Sequence, residues 1–199
     1  NHPELGISVK TLYNYIEQGV LLTRNIDLKR KVKFRLRKDD SKPSIRNREV
    51  FIGRTYADFK LLNPDYFCEM DTVISAKGSN KCILTFYIPE TQLFIARLLN
   101  RCTEGAVKAA LNELERALGT YDFLYVFNTC LTDRGSEFGD PISLETGING
   151  IERMSIYYCD PMRSNQKGGI EEAHTLLRMI IPKGTVFTHL TQWDIKKMC

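Results

Sequence analysis

Between residues 66 and 99 the chain runs YFCEMDTVIS, KCILTFYI and QLFIARLL, three apolar segments separated by turn-length gaps. The gaps contain Lys77-Gly78-Ser79 and Pro89-Glu90, residues that turn a chain rather than extend it. Parallel neighbours need a crossover of roughly a dozen residues, so these gaps admit only antiparallel pairing. The three runs therefore predict an antiparallel meander. In the first, Tyr66, Cys68, Met70, Thr72 and Ile74 alternate with Phe67, Glu69, Asp71 and Val73. One acid, Asp71, thus falls in the middle of a core strand, where carboxylates are uncommon.

Downstream the pattern changes period. Thr103 to Leu118 reads as a helix, with Val107, Ala110, Leu111, Leu114 and Leu118 on one side and Gly119 behind it. FLYVFNTCLTD then reads as a fourth strand and RMSIYYC as a fifth, after a polar loop. SNQKGGIEEAHTLLRMII begins a helix that Pro182 stops, and the stretch before Cys199 is again helix-like. This order predicts an α/β fold over residues 61–199, a ribonuclease-H-like mixed five-stranded sheet flanked by helices.

Two segments precede it. Within residues 1–23, GISVKTLYNYIEQGVL reads as a short helix capped by Ser8, with Leu12, Tyr15 and Ile16 on one face and Gly19 at its end. It fits either the second half of a partial helix-turn-helix or a plain packing helix. Residues 24–60 read as a basic linker. The chain as a whole carries 28 basic and 24 acidic residues, a net +4 that hides an asymmetry: residues 24–54 carry +8 and the remainder −4. A solvated linker and a phosphate-binding arm both fit that run, and the two are compatible; the DNA-contacting reading is preferred.

Other classes fall away. No stretch approaches the ~18 apolar residues of a membrane span, and 43% hydrophobic with 10% aromatic residues excludes wholesale disorder. Cys68, Cys82, Cys102, Cys130 and Cys159 are scattered without a CxxC pair, so neither a zinc ribbon nor a redox motif is supported. Buried reduced thiols of a cytosolic protein are expected. No Ser-His-Asp set, Walker loop or dinucleotide glycine motif is present. The chain opens at Asn1-His2-Pro3 and reads as a fragment, without a signal peptide.

Two further acids join Asp71. Asp133 closes the fourth predicted strand ahead of Arg134-Gly135-Ser136, and groups at the carboxyl ends of α/β strands collect ligands, although Asp and Gly also suit an ordinary turn. Glu171 follows Gly168-Gly169 near a helix start, in a stripe with Lys167, His174, Thr175 and Arg178, which is either a solvated charge stripe or a face toward a metal and phosphate. Two glycines in a helical turn cost roughly 1 kcal/mol each against alanine, which makes sense where something approaches closely. If the three carboxylates meet, their repulsion calls for a divalent cation, and oxygen-only ligation favours magnesium or manganese. Two such ions about 4 Å apart can drive an in-line phosphoryl displacement. Glu69, Glu137, Asp140 and Asp160 lie nearby in sequence, where solvated or capping roles are expected.

EMDTV around Asp71, LTDRGSEF around Asp133, YCDPMRSNQKGGIEEAH around Glu171 and the following PKGTVF resemble bacterial insertion-sequence transposases. The group resembled is the one numbered thirty, in the DDE, retroviral-integrase-like superfamily. The resemblance implies that Asp71, Asp133 and Glu171 form the catalytic, metal-holding triad, with Mg2+ or Mn2+ as cofactor and two ions per site. It implies cleavage at transposon ends and strand transfer into target DNA, with double-stranded DNA as partner, a homo-oligomeric active complex and a nucleoid-associated, cytoplasmic location. It places Lys167, His174 and Arg178 near the DNA, and Arg30, Lys31, Lys33, Arg35 and Arg37 suit the phosphate-binding arm. Asn165 stands where relatives often carry Trp, Arg134 where some carry Asn, and Glu172 where they often carry Asn, which makes Glu172 a competing acid. The rival readings are a nuclease or resolvase of the same fold and a non-enzymatic DNA-binding regulator.

Overall fold

In the computed structural model, residues 6–23 and 49–198 are described, and the chain divides into two units, 1–45 and 46–199. The first contains one described helix, α1 (Val9–Glu17). The Ser8 side chain accepts from the Thr11 amide at its start, and Gly19 takes a left-handed φ of 71° just past its end. Ile16 is buried, whereas Leu12 and Tyr15 on the same stripe stay exposed. Arg30, Lys31, Lys33, Arg35 and Arg37 lie outside the described residues.

The second unit is built on five strands. These are β1 (Cys68–Ile74), β2 (Cys82–Ile88), β3 (Leu93–Leu99), β4 (Thr129–Thr132) and β5 (Ser155–Tyr158), in the order β3-β2-β1-β4-β5. The first three are antiparallel; β4 and β5 run parallel to β1. This is the mixed ribonuclease-H-like sheet the sequence order predicts. Helices cover both faces. On one side α3 (Glu104–Leu118), α4 (Thr120–Phe127) and α5 (Pro141–Glu145) enclose the main core around Met70, Leu84, Phe86, Cys130 and Ile156. On the other, α6 (Gly168–Ile180) and α7 (Gln192–Met198) pack with Val73, Ile83, Ala96 and Phe187. Helix α2 (Tyr56–Leu62) opens with a Thr55–Asp58 capping box and lays Phe59 against Leu131 and Cys159.

Two elements differ from the sequence expectation. FLYVF belongs to helix α4, and only Thr129–Thr132 of the expected fourth strand is extended. Phe123 and Phe127, one helical turn apart, are both buried and touch each other, with Phe127 edge-on to Phe86; Tyr125 between them is exposed. A short aromatic run does not distinguish the two periods until something packs against it. The polar loop after Asp133 contains α5, and a buried ion pair ties its end to α3: Arg153 Nη1 lies 3.2 Å from Glu115 Oε2, and both side chains are fully buried. Cys68, Cys82, Cys102, Cys130 and Cys159 are free thiols, and all but the half-buried Cys102 are buried.

Candidate active site

The parallel register of β1 and β4 creates the site. Glu69 lies opposite Leu131, and pairing between the two strands stops there. Asp71 is two residues beyond Glu69 and Asp133 two beyond Leu131, so the acids are level, on the same face, where the strands part. An unpaired gap at the carboxyl ends of parallel strands is the usual place for ligands in such sheets.

Both carboxylates converge on one cation. Lys167 Nζ lies 3.1 Å from Asp71 Oδ2 and 3.7 Å from Asp133 Oδ2. Lys167 is only 3% exposed, while the Asp133 side chain is 51% exposed and opens to solvent. Burial alone would lower the pKa of the Lys167 ammonium; Asp71 and Asp133 more than reverse this, and the net shift is upward. The remaining oxygens are held locally: Asp71 Oδ1 accepts from the Thr72 amide at 2.7 Å and Asp133 Oδ1 from the Gly135 amide at 3.0 Å.

Helix α6 brings the third acid. Its first turn starts directly after Lys167, and Glu171 lines the same cleft of about 500 Å³ as Asp71, Asp133 and Lys167, with Arg134, Asp160 and Arg163 on the rim. The helix is anchored by Glu69, which is buried and accepts from the Ile170 amide at 2.5 Å and from the Gly169 amide. Burial pushes the Glu69 carboxyl up, and the two amides oppose that shift. Gly169 is required by contact, because a Cβ there would overlap Cε1 of Tyr87 and sit 3.2 Å from Glu69 Oε2. Glu172 faces away, lining an apolar hollow with Tyr87, Leu176 and Ile180.

His174 and Arg178 line a neighbouring hollow of about 490 Å³ with Thr72, Ser75, Lys183 and Gly184. His174 Nε2 is 2.7 Å from Thr85 Oγ1, and that hydroxyl donates to the Asp71 carbonyl at 3.1 Å. With the hydroxyl proton so committed, Nε2–H is the donor to Thr85, an assignment from the bonding network. Burial is the main force lowering the His174 pKa.

Two supports were not assigned from the sequence. Glu137, buried, accepts from Thr72 Oγ1 at 2.6 Å and from Cys102 Sγ at 3.4 Å, tying the turn after Asp133 to the residue after Asp71. A Cβ on Gly135 would lie 2.7 Å from Glu137 Oε2, so the glycine lets that carboxylate in. Arg134 rests over the Phe51 ring, 5.5 Å from guanidinium carbon to centroid. The only sequence signal for these contacts is the LTDRGSEF string itself.

No family model matches the chain. It is 30% identical over 190 residues to the probable transposase for insertion-like sequence element IS1161 of Streptococcus salivarius, spanning 93% of this chain and 50% of that protein. The chain is a homologue of insertion-sequence transposases. It is also 27% identical over 129 residues to the transposase for insertion sequence element IS4351 of Bacteroides fragilis, covering 64% of this chain and 36% of that protein. A putative integrase of Spiroplasma virus SpV1-R8A2 B matches at 27% identity, over 95% of this chain and 56% of its own length. The chain thus spans roughly a third to just over half the length of these curated relatives. Among solved structures, a simian T-cell lymphotropic virus intasome in complex with PP2A regulatory subunit B56 gamma matches with a TM-score of 0.49 and 13% identity, covering 68% of this chain and 47% of that one. The catalytic core domain of BIV integrase matches with a TM-score of 0.46 and 16% identity, covering 68% of this chain and 81% of that one. Among the described residues no helix is long and apolar enough to cross a membrane.

Proposed function

We propose that this transposase homologue is the catalytic part of a DDE transposase that cleaves DNA at transposon ends and joins the freed 3′ end to target DNA. The observation that carries this reading is the level placement of Asp71 and Asp133 where β1 and β4 part, with Glu171 on the same cleft wall. The motifs around the three acids support membership of the group numbered thirty.

The donor set fits a hard divalent cation. All three candidate ligands are carboxylates, and two of them already share a positive charge, the Lys167 ammonium. Among the described residues no three such side chains converge at a single point, so Glu171 has to turn in from the wall. A magnesium or manganese ion, or a pair, held by Asp71, Asp133 and Glu171 would supply an activated water or 3′-hydroxyl and stabilise the leaving oxygen of a phosphodiester. The protein's own groups do the positioning. Glu69 fixes the start of α6, Thr85 and His174 brace the Asp71 backbone, and Glu137 braces the Asp133 turn. Arg134 and Arg163 on the cleft rim, with Arg178 and Lys183 beyond it, offer positive charge to a DNA backbone. The basic run at 24–54 would add non-specific phosphate binding through Arg30, Lys31, Lys33, Arg35 and Arg37. Terminal repeats and target would be double-stranded DNA, acted on by a homo-oligomer at the bacterial nucleoid.

The test is a strand-transfer assay with labelled element ends and Mg2+ or Mn2+. Joined products from wild type, and their loss in Asp71→Asn, Asp133→Asn and Glu171→Gln variants that still fold, are expected. Cleavage without joining would move the reading to a nuclease or resolvase. Metal-independent operator binding, unaffected by the three substitutions, with no cleavage, would make the chain a regulator.

A further inference from the structure

Lys167 occupies an expensive position. It is almost fully buried at the end of the 3-10 turn Ser164–Lys167, directly before α6. The N-terminus of a helix is its positive end, so an ammonium there is disfavoured by the helix as well as by burial. What holds it is the pair of aspartates, with a further contact of 3.5 Å to the Met70 carbonyl. The ammonium therefore sits between two of the carboxylates proposed to bind a divalent cation. A lysine and a dication cannot share that space without strong like-charge repulsion.

The backbone beside it carries a glycine that packing does not require. Gly169 is needed because Tyr87 and Glu69 crowd it, but a Cβ on Gly168 would meet nothing within 4 Å. Gly168 also has ordinary helical angles, φ −64° and ψ −34°, which any residue adopts. The conformation in hand does not require glycine there. A change in the turn that carries Lys167 would benefit from it.

We propose that Lys167 is a displaceable counter-cation: its ammonium holds Asp71 and Asp133 together in the metal-free protein and withdraws as a divalent cation enters. Its role is a positioning one, acting through the two aspartates. The inference rests on the metal-dependent reading above, and the test separates the two.

Mn2+ binding is measured by titration calorimetry on the wild-type chain and on Lys167→Met, Lys167→Arg and Asp71→Asn variants, with folding checked by circular dichroism. Removing the competing charge is expected to tighten Mn2+ binding in Lys167→Met by about tenfold or more, while Lys167→Arg, which keeps the cation, stays near wild type. Equal or weaker binding in Lys167→Met, with binding abolished in Asp71→Asn, overturns the counter-cation alone. No Mn2+ binding by either wild type or Lys167→Met overturns the metal-dependent reading along with it. A second measurement uses the unaltered protein: acetic anhydride labelling read by mass spectrometry, with and without Mg2+. Lys167 should be protected in the metal-free protein and labelled several-fold faster with Mg2+ bound. Labelling that does not change with Mg2+ contradicts displacement even if the methionine variant does not fold.

Discussion

Replacing Glu69 with alanine removes the acceptor that anchors the amino end of α6, the helix that carries Glu171 and follows Lys167. The Ile170 amide, which donates to Glu69 at 2.5 Å, and the Gly169 amide would be left buried without that partner. One unsatisfied buried amide costs about 1–3 kcal/mol. Losing an anion at a partly buried helix N-terminus adds up to ~2 kcal/mol. Part is offset, because the carboxylate no longer has to be desolvated, the cause that raises its pKa. The expected net loss for Glu69→Ala is about 2–3 kcal/mol, and for Glu69→Gln, which keeps a neutral acceptor, about 1 kcal/mol. Urea unfolding of the full chain at neutral pH, followed by circular dichroism, measures both. Because the helix start positions Lys167 and Glu171, strand transfer should fall further in the alanine variant than in the glutamine variant. Alanine and glutamine variants equal to each other, or an alanine variant within ~0.5 kcal/mol of wild type, would refute the anchoring role.

Adjacent glycines should respond in opposite directions: Gly168→Ala is expected to stabilise the chain by about 0.4–1 kcal/mol and Gly169→Ala to destabilise it by about 1–3 kcal/mol, both read from urea midpoints. Arg153→Met strands Glu115 in the interior and should cost about 3–5 kcal/mol, of which a double variant with Glu115→Gln recovers a part exceeding ~1 kcal/mol in a double-mutant cycle. His174 has a folded pKa below its usual 6.5, so the unfolded chain binds the extra proton first as the pH falls. Stability should therefore be full above pH 6.5 and decline as the pH falls through that value toward the folded pKa, and His174→Gln should flatten that part of the stability-versus-pH curve.

The meander was legible because its gaps are too short for anything but antiparallel turns, and β1, β2 and β3 fall inside the three runs. Alternation also placed Cys68 and Met70 on one face and Glu69, Asp71 and Val73 on the other, as the two cores have them. FLYVF was misread because aromatic side chains suit both periods, and only the Phe123–Phe127–Phe86 contacts make it helical. At the site, residue types and strand ends pointed to Asp71, Asp133 and Glu171, but the reason the two aspartates are level is a parallel register between β1 and β4, which no local pattern encodes. Lys167 read as one member of a charge stripe; its burial depends on two acids, one 96 and one 34 positions earlier. Glu137 lay inside a recognisable motif, yet its partners Thr72 and Cys102 come from other elements.

The most direct test of the account is a crystal of this chain soaked in MnCl2, with data collected at the manganese absorption edge. An anomalous peak is expected in the cleft, bounded by the carboxylates of Asp71, Asp133 and Glu171. A saturating soak that leaves that cleft without a peak, or that places manganese on other side chains, would contradict it.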